Sequence, residues 1–256
     1  MDTNKKTRAS SVPTDASWPP ASLLSVDEAN PWSRTVAFDL HHVIVDWAGQ
    51  FSAFINDDRR ATGRKLISPE QMRFYRMGTD PAVDLTQEEF DEYFVTFARL
   101  SRGGYGSLKP YPGIKEALEK IRAAGIKIQV FTWVPGAVDR KPGSAAGYGT
   151  GIAQAVTKEL VRKLGLPIDP DRDLRFMTPG EKAATMVEEH IPLLVEDNPE
   201  TAVAAALGIA HASILVPEKY NEGLVCRNVL RLSNRAELAD AVISFYAELN
   251  DAGKLL

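Results

Sequence analysis

The sequence predicts an α/β fold: an open parallel sheet covered by helices on both faces, interrupted after its first strand by a helical insert. Three observations carry this. Short apolar runs of strand length alternate with amphipathic helical stretches through the second half of the chain. One such run, "TVAFDL" at 35–40, stands alone before them. Between it and the alternating part, residues 47 to about 108 carry helical periodicity only.

The elements follow in order. Residues 1–33 are rich in Ser, Pro, Thr and Asp and read as a disordered or loosely packed arm, with Trp18 and Trp32 able to tack parts of it onto the surface. "TVAFDL" is an apolar strand. "DWAGQFSAFINDDRRATGRKL" has apolar residues at helical spacing, and its "DDRR", 57–60, reads as a solvated helix face. "SPEQMRFYRMG" offers Ser68 as an N-cap with Pro69 at the first helical position. "TQEEFDEYFVTFARLSRGG" has Thr86 and Glu89 at capping-box spacing, followed by aromatics on a helical period.

The pattern then changes. "YPGIKEALEKIRAAG" is an amphipathic helix stopped by Gly125. "IKIQVFT" is a strand, "TGIAQAVTKELVRKLG" a helix and "LRFMT" a short strand. "GEKAATMVEEH" is a helix, "IPLLVED" a strand, "PETAVAAALG" a helix and "ASILV" a strand. "RNVLRLS" is a further strand and "RAELADAVISFYAELN" the closing helix. The Gly-rich "RKPGSAAGYGTG", 140–151, is a long connection that lacks the Gly-Lys-Ser/Thr ending of a phosphate loop.

Composition bounds the function. Of 256 residues, 44% are hydrophobic and 25% charged, as in a globular protein. The net charge of −4, without a basic block, argues against nucleic acid as a partner, because that affinity comes largely from neutralising phosphates. A small anionic substrate remains compatible, since a pocket can be basic on an acidic protein. Cys226 is the single cysteine; it cannot form an internal disulfide and reads as a small core residue. No run has the length of a membrane span, and the polar N-terminus lacks a signal peptide's apolar stretch, so a cytoplasmic setting is expected. The oligomeric state is not legible.

In open α/β sheets ligands bind beyond the carboxyl ends of the strands. Four such ends carry suitable polar residues: Asp39 after the first strand, Thr132 ending "IQVFT", Lys182 in the helix after "LRFMT", and Glu196 with Asp197 ending "IPLLVED". The acids could hold a hard divalent cation such as Mg2+, which prefers oxygen ligands. Lys182 would neutralise a phosphoryl group, Thr132 would hydrogen-bond its oxygens, and Asp39 would be placed to attack phosphorus. Each residue alone has a plainer reading, as turn former, β-former, solvated helix residue or N-cap. Together, in this order at four strand ends, they are far less expected by accident, and they suit phosphoryl transfer, which depends mainly on positioning and charge stabilisation.

The segments "AFDLHHVIVD", "VFT", "GEK" and "LLVEDNPETAVAAALGI" resemble the four motifs of the haloacid dehalogenase-like superfamily, over residues 34 to about 245. The paired acids before "NP" are similar to the 5′-nucleotidase-like branch. The resemblance implies a Rossmann-like core over 34–46 and 109–256, with residues 47–108 as a helical cap. It implies that Asp39 is nucleophile and metal ligand, Thr132 the phosphate-binding hydroxyl, Lys182 the charge-stabilising lysine, and Asp197 a metal ligand with Glu196 beside it. His41 takes the place of the acid/base Asp, and its backbone carbonyl matches a metal contact. His42 stands where Gly is usual, and Asp46 matches an acid that closes the first motif. The expected activity is Mg2+-dependent hydrolysis of small phosphate monoesters, nucleotides included, through an aspartyl-phosphate. The alternatives are a non-catalytic phosphate- or nucleotide-binding protein, and an enzyme acting on a carbon–halogen or carbon–phosphorus bond. The phosphonatase form would need a Schiff-base lysine in the cap, where Lys65 is the only candidate.

Overall fold

A computed structural model describes residues 31–71, 80–134, 150–208 and 212–255. Six strands form one all-parallel sheet: β1 (Thr35–Phe38), β2 (Lys127–Thr132), β3 (Leu174–Phe176), β4 (Leu193–Glu196), β5 (Ala212–Leu215) and β6 (Val229–Arg231). Their spatial order is β3-β2-β1-β4-β5-β6, so β1 sits centrally, with Phe38 beside both Val130 and Val195. The strand order reverses between β1 and β4, and the crevice at such a switch point is where these sheets bind ligands.

The period of two along each strand separates two apolar layers. Ala37, Phe131 and Leu194 face one side and pack with Met186 of α5 (Pro179–Glu188) and Ala205 of α6 (Pro199–Gly208). Val36, Phe38, Val130, Leu193 and Val195 face the other. There they join α3 (Ile114–Ala123), α4 (Thr150–Leu164) and α7 (Leu238–Asp251). Central strands buried on both faces explain why β1 and β4 read as unbroken apolar runs.

The insert contains α1 (Trp47–Thr62) and α2 (Gln87–Arg99), with short 3-10 turns at Pro69–Gln71 and Tyr105–Ser107. The Thr86/Glu89 capping box forms as its spacing predicts. Trp47, Phe51, Ile55, Phe97 and Tyr105 belong to the same apolar cluster as one face of the sheet. The insert's inner side is therefore continuous with the core. Gly104 and Gly106 allow this close approach, since a Cβ there would lie 2.3 Å from the Phe97 and Ser101 carbonyl oxygens respectively.

Three expectations change. The solvated "DDRR" face holds one buried member. Arg59 is 1% exposed and donates to the carbonyls of Lys65, Val83 and Asp84, tying the following loops to α1. Cys226 is partly exposed in the segment before β6 and not a core residue, because that segment lies outside the packed layers. Ser68 and Pro69 begin a 3-10 turn, beyond which residues 72–79 lie outside the described part. The arm's residues 1–30 and nearly all of the Gly-rich connection also lie outside it. Trp32, at the arm's end, is buried, and its backbone N–H donates to the Lys254 carbonyl at 2.9 Å. Among the described residues no helix is long and apolar enough to cross a membrane.

Candidate active site

The four strand ends do converge. Asp39 follows β1, and its N–H donates to the Val195 carbonyl of β4 at 2.8 Å, fixing it beside the end of that strand. Glu196 ends β4 and Asp197 follows. The plainer role for these acids is an N-cap, but Asn198 fills it. Its Oδ1 accepts from the Glu200 N–H at 2.9 Å at the start of α6. Both acids are thereby left for other partners. Asp39, Glu196 and Asp197 each offer a carboxylate oxygen within 4.8 Å of the others, and all three are buried.

Lys182 reaches this cluster from α5. Thr178 and Glu181 form a capping box with Pro179 at the helix start, which sets the first turn and the position of Lys182. Lys182 is 3% exposed, and its Nζ donates to Asp39 Oδ1 at 2.6 Å and Glu196 Oε2 at 2.8 Å. One ammonium thus faces three carboxyl groups, so their full ionisation would leave a surplus of two negative charges in a buried site. The electrostatics reflect that surplus. Burial, then the other carboxylates, outweigh Lys182 and push Glu196 up to about 8. Burial and Asp39 push Asp197 up to about 7, with the Tyr220 hydroxyl opposing. Burial disfavours the Lys182 ammonium, yet Asp39 and Glu196 outweigh it and hold the group well above its ordinary value.

Two unit charges of surplus on hard oxygen donors are what a divalent cation such as Mg2+ would neutralise, so the residues present fit that ion. Lys182 occupies one oxygen of Asp39, and Tyr220 donates to Asp197 Oδ2 at 2.5 Å. Asp39 Oδ2 and Asp197 Oδ1 remain open among the described residues. The His41 carbonyl likewise accepts no backbone N–H among them.

Residues His41 to Val45 form a tight turn over the end of β1, closed by the His42 N–H donating to Val45 O at 2.9 Å. His42 has φ +58, a left-handed backbone disfavoured by ~1–2 kcal/mol for L-residues. That conformation is the physical reason a Gly suits the position. Arg235 holds the turn by donating to the His42 carbonyl at 2.7 Å. The two imidazoles diverge. His42 meets Trp47 and Tyr220, and burial depresses its basicity. His41 lies 5.1 Å from the Tyr105 ring, with Nδ1 3.4 Å from Thr132 Oγ1. Its Nε2 is shielded and has no partner among the described residues. Burial, only partly offset by Asp39, brings His41 down to about 4, with His42 and Lys182 lowering it too.

Thr132 ends β2 and is fully buried. Asp46 is not part of the acidic cluster; it caps α1, accepting from the Gly49 N–H at 2.8 Å. Lys65 is exposed, and its carbonyl is tied to Arg59. Sequence reasoning missed Tyr220 and Asn221. Asn221 donates to the Asp197 carbonyl at 3.0 Å and the Val216 carbonyl at 2.8 Å, holding the fourth strand's end to the fifth. The signal was available, since both residues lie just beyond "ASILV", another strand's carboxyl end.

No family model and no curated relative matches the sequence. Solved structures do. A haloacid dehalogenase-like family hydrolase from Xanthomonas campestris superposes with TM-score 0.51 at 13% identity, covering 88% of this chain and 99% of its own. A haloacid dehalogenase-like family protein from Streptococcus pneumoniae gives 0.52 at 9%, covering 83% and 97%. The chain has the haloacid dehalogenase-like fold. A hydrolase of the same name from Deinococcus radiodurans, solved with bound phosphate and sodium, gives 0.50 at 16%, covering 88% and 99%. At these identities the likeness is one of fold, and the 5′-nucleotidase-like branch gains no support from it. On this haloacid dehalogenase-like frame the acidic cluster and Lys182 lie at the carboxyl edge of the sheet.

Proposed function

We propose that this chain is a Mg2+-dependent hydrolase of small phosphate monoesters, nucleotides among them, acting through an aspartyl-phosphate on Asp39. The observation that carries the reading is the buried Lys182 ammonium shared by Asp39 and Glu196 beside Asp197. A buried cluster of this charge is a poor device for stability compared with apolar packing; it suits a dianionic phosphoryl group bound together with a cation. The phosphate in the Deinococcus radiodurans structure agrees with that chemistry.

In this reading Asp39, Asp197 and the His41 carbonyl would hold Mg2+, with Glu196 adjoining, and the ion would supply charge neutralisation to the transferring group. Lys182 orients Asp39 through Oδ1 and offers its charge to the phosphoryl oxygens. The Thr132 hydroxyl donates to another of them. Asp39 forms a bond to phosphorus as the ester P–O bond breaks, and the departing alkoxide takes its proton from solvent water. A second water then attacks the aspartyl-phosphate and gives up a proton to His41, which passes it to solvent, and inorganic phosphate leaves with Asp39 restored. Residues 47–108 act as the cap, bringing Phe94 against Trp133, directly after Thr132 (ring centroids 5.6 Å apart), and so limit water near the intermediate.

A phosphate-release screen of monoesters with Mg2+ tests the reading. Turnover that is lost in Asp39→Asn supports it. Full activity in that variant refutes the nucleophile, and tight nucleotide binding without release by the natural chain favours the binding-protein alternative.

A further inference from the structure

Asp39, Thr132 and Glu196 are carried to the site by strand ends and Lys182 by a helix. His41 depends instead on the turn that follows β1, and that turn uses a backbone its residue disfavours. His42, at the bend, has φ +58, where the Cβ of an L-residue crowds the following carbonyl. The turn's own bonds run from the His42 N–H to the Val45 carbonyl and from the Ile44 and Val45 N–H groups to the Leu40 carbonyl. The His42 carbonyl accepts no backbone N–H among the described residues. Its partner is the Arg235 guanidinium, which donates from Nη2 at 2.7 Å.

Arg235 is itself anchored to the core. Asn234 accepts from the Ala236 N–H at 2.9 Å and caps the 3-10 turn Arg235–Glu237, which runs into α7, where Leu238 and Val242 are buried. The guanidinium pairs with Glu218, donates to the Pro217 carbonyl at 3.3 Å and lies 3.9 Å over the Tyr111 ring. Tyr111 donates its N–H to the Ile44 carbonyl at 3.0 Å, a further point on the same turn. The Arg235 side chain is only 20% exposed, so water is a poor substitute for its bonds. A charge-assisted hydrogen bond is of the same size as the strain at His42.

We propose that Arg235 is a positioning residue for His41. Its bond to the His42 carbonyl keeps that residue left-handed, and the left-handed turn keeps the His41 ring beside Thr132 and Tyr105. Without the bond, His42 relaxes toward an ordinary backbone and carries His41 off its place. The planar fork suits this task, because one guanidinium can meet Glu218 and the His42 carbonyl together. The catalytic consequence rests on the phosphohydrolase reading, in which His41 accepts the proton of the attacking water. The placement of the ring does not.

The test uses glycine as a suppressor. Glycine adopts the left-handed region freely, so in His42→Gly the turn no longer needs Arg235. The chain has four histidines, and NMR of the full chain with ring-labelled histidine, at one fixed pH, follows each of them. His41→Asn assigns the His41 signal, which feels the Tyr105 ring 5.1 Å away. Arg235→Met should move that signal toward its position in the denatured chain. The same substitution made on His42→Gly should leave it where His42→Gly alone has it. A merely structural contact would not distinguish the two backgrounds. Arg235→Gln repeats the comparison with a side chain that still meets Glu218, so a methionine variant that does not fold leaves the test in place. An unmoved signal in the folded variant, or an equal displacement in both backgrounds, overturns the proposal. In parallel, kcat for p-nitrophenyl phosphate should fall by up to ~10²-fold in Arg235→Met with KM little changed, and the glycine background should recover most of the loss. Absence of phosphate release by the natural chain would refute the phosphohydrolase reading alone, and the NMR comparison would still decide the role of Arg235.

Discussion

Replacing His41 with Asn tests the chemistry of the site most sharply. A general acid must carry its proton before the leaving group departs. With His41 brought down to about 4 by burial, only ~10⁻³ of the imidazoles are protonated at pH 7. The neutral ring can instead accept a proton, and that is needed when water attacks the aspartyl-phosphate. The substitution should therefore slow the second step and spare the first. With p-nitrophenyl phosphate, rapid mixing should show a burst of p-nitrophenol equal to the enzyme concentration, followed by a steady rate lower by ~10²–10⁴-fold. The acid-quenched variant should retain phosphate on protein. In the natural chain at saturating Mg2+, where the metal keeps the carboxylates ionised, activity should fall on the acid side near pH 4 and not near 6.5. A variant without a burst that loses far more activity on an alkyl phosphate than on p-nitrophenyl phosphate would make His41 a general acid, and the argument from its burial would be wrong.

Lys182→Met removes the only ammonium bonded to the acidic cluster among the described residues and should destabilise the metal-free fold by ~3–5 kcal/mol near pH 8. Because raised carboxyl pKa values confer stability that is present at low pH and lost as pH rises, the deficit should shrink toward pH 6 by about 1.4 kcal/mol per unit for each proton taken up; denaturant melts showing the same deficit at both pH values would refute this. The same sign makes the natural metal-free chain less stable as pH rises through about 7 to 8, where Asp197 and Glu196 ionise, with added Mg2+ restoring the loss in a thermal melt. Tyr220→Phe should weaken Mg2+ binding ~10–100-fold by calorimetry, since it releases Asp197 Oδ2; an unchanged affinity would make the hydroxyl irrelevant to the ion. Arg59→Met should destabilise the chain by at least ~2 kcal/mol by leaving the Val83 carbonyl and its neighbours without a donor, and a smaller loss would show that water replaces the guanidinium.

The parts of this molecule that were legible in its sequence are those governed by local periodicity. All six strands occur where short apolar runs stand, and each site residue singled out at a strand end lies at the sheet's carboxyl edge. From β1 to β5 the parallel order follows from the helical connections, and the pairing of β1 with β4 brings Asp39 next to Glu196. What stayed hidden depends on partners distant in sequence. Arg59 reads as solvated because it stands in the charged run 57–60, while the carbonyls that bury it come from residues 65, 83 and 84. Asn198 takes the cap that Asp197 could have taken, and nothing in "EDNPE" decides between them without the third dimension.

The same distinction explains His41 and His42. The sequence presents them as neighbours and says nothing of where their rings point. The left-handed backbone of His42 turns the chain between them, sending one ring toward Thr132 and the other toward Tyr220. A strand-end motif can be read for which residues approach the sheet's edge, because strand geometry carries them there. Which way each side chain then points is set by the turn, and here the turn is held by Arg235, 193 residues further along the chain. His42→Gly would relieve the backbone strain that the site carries, but it would also remove the ring that meets Trp47 and Tyr220. The net effect on stability is therefore the difference between a strain of ~1–2 kcal/mol and the loss of those ring contacts.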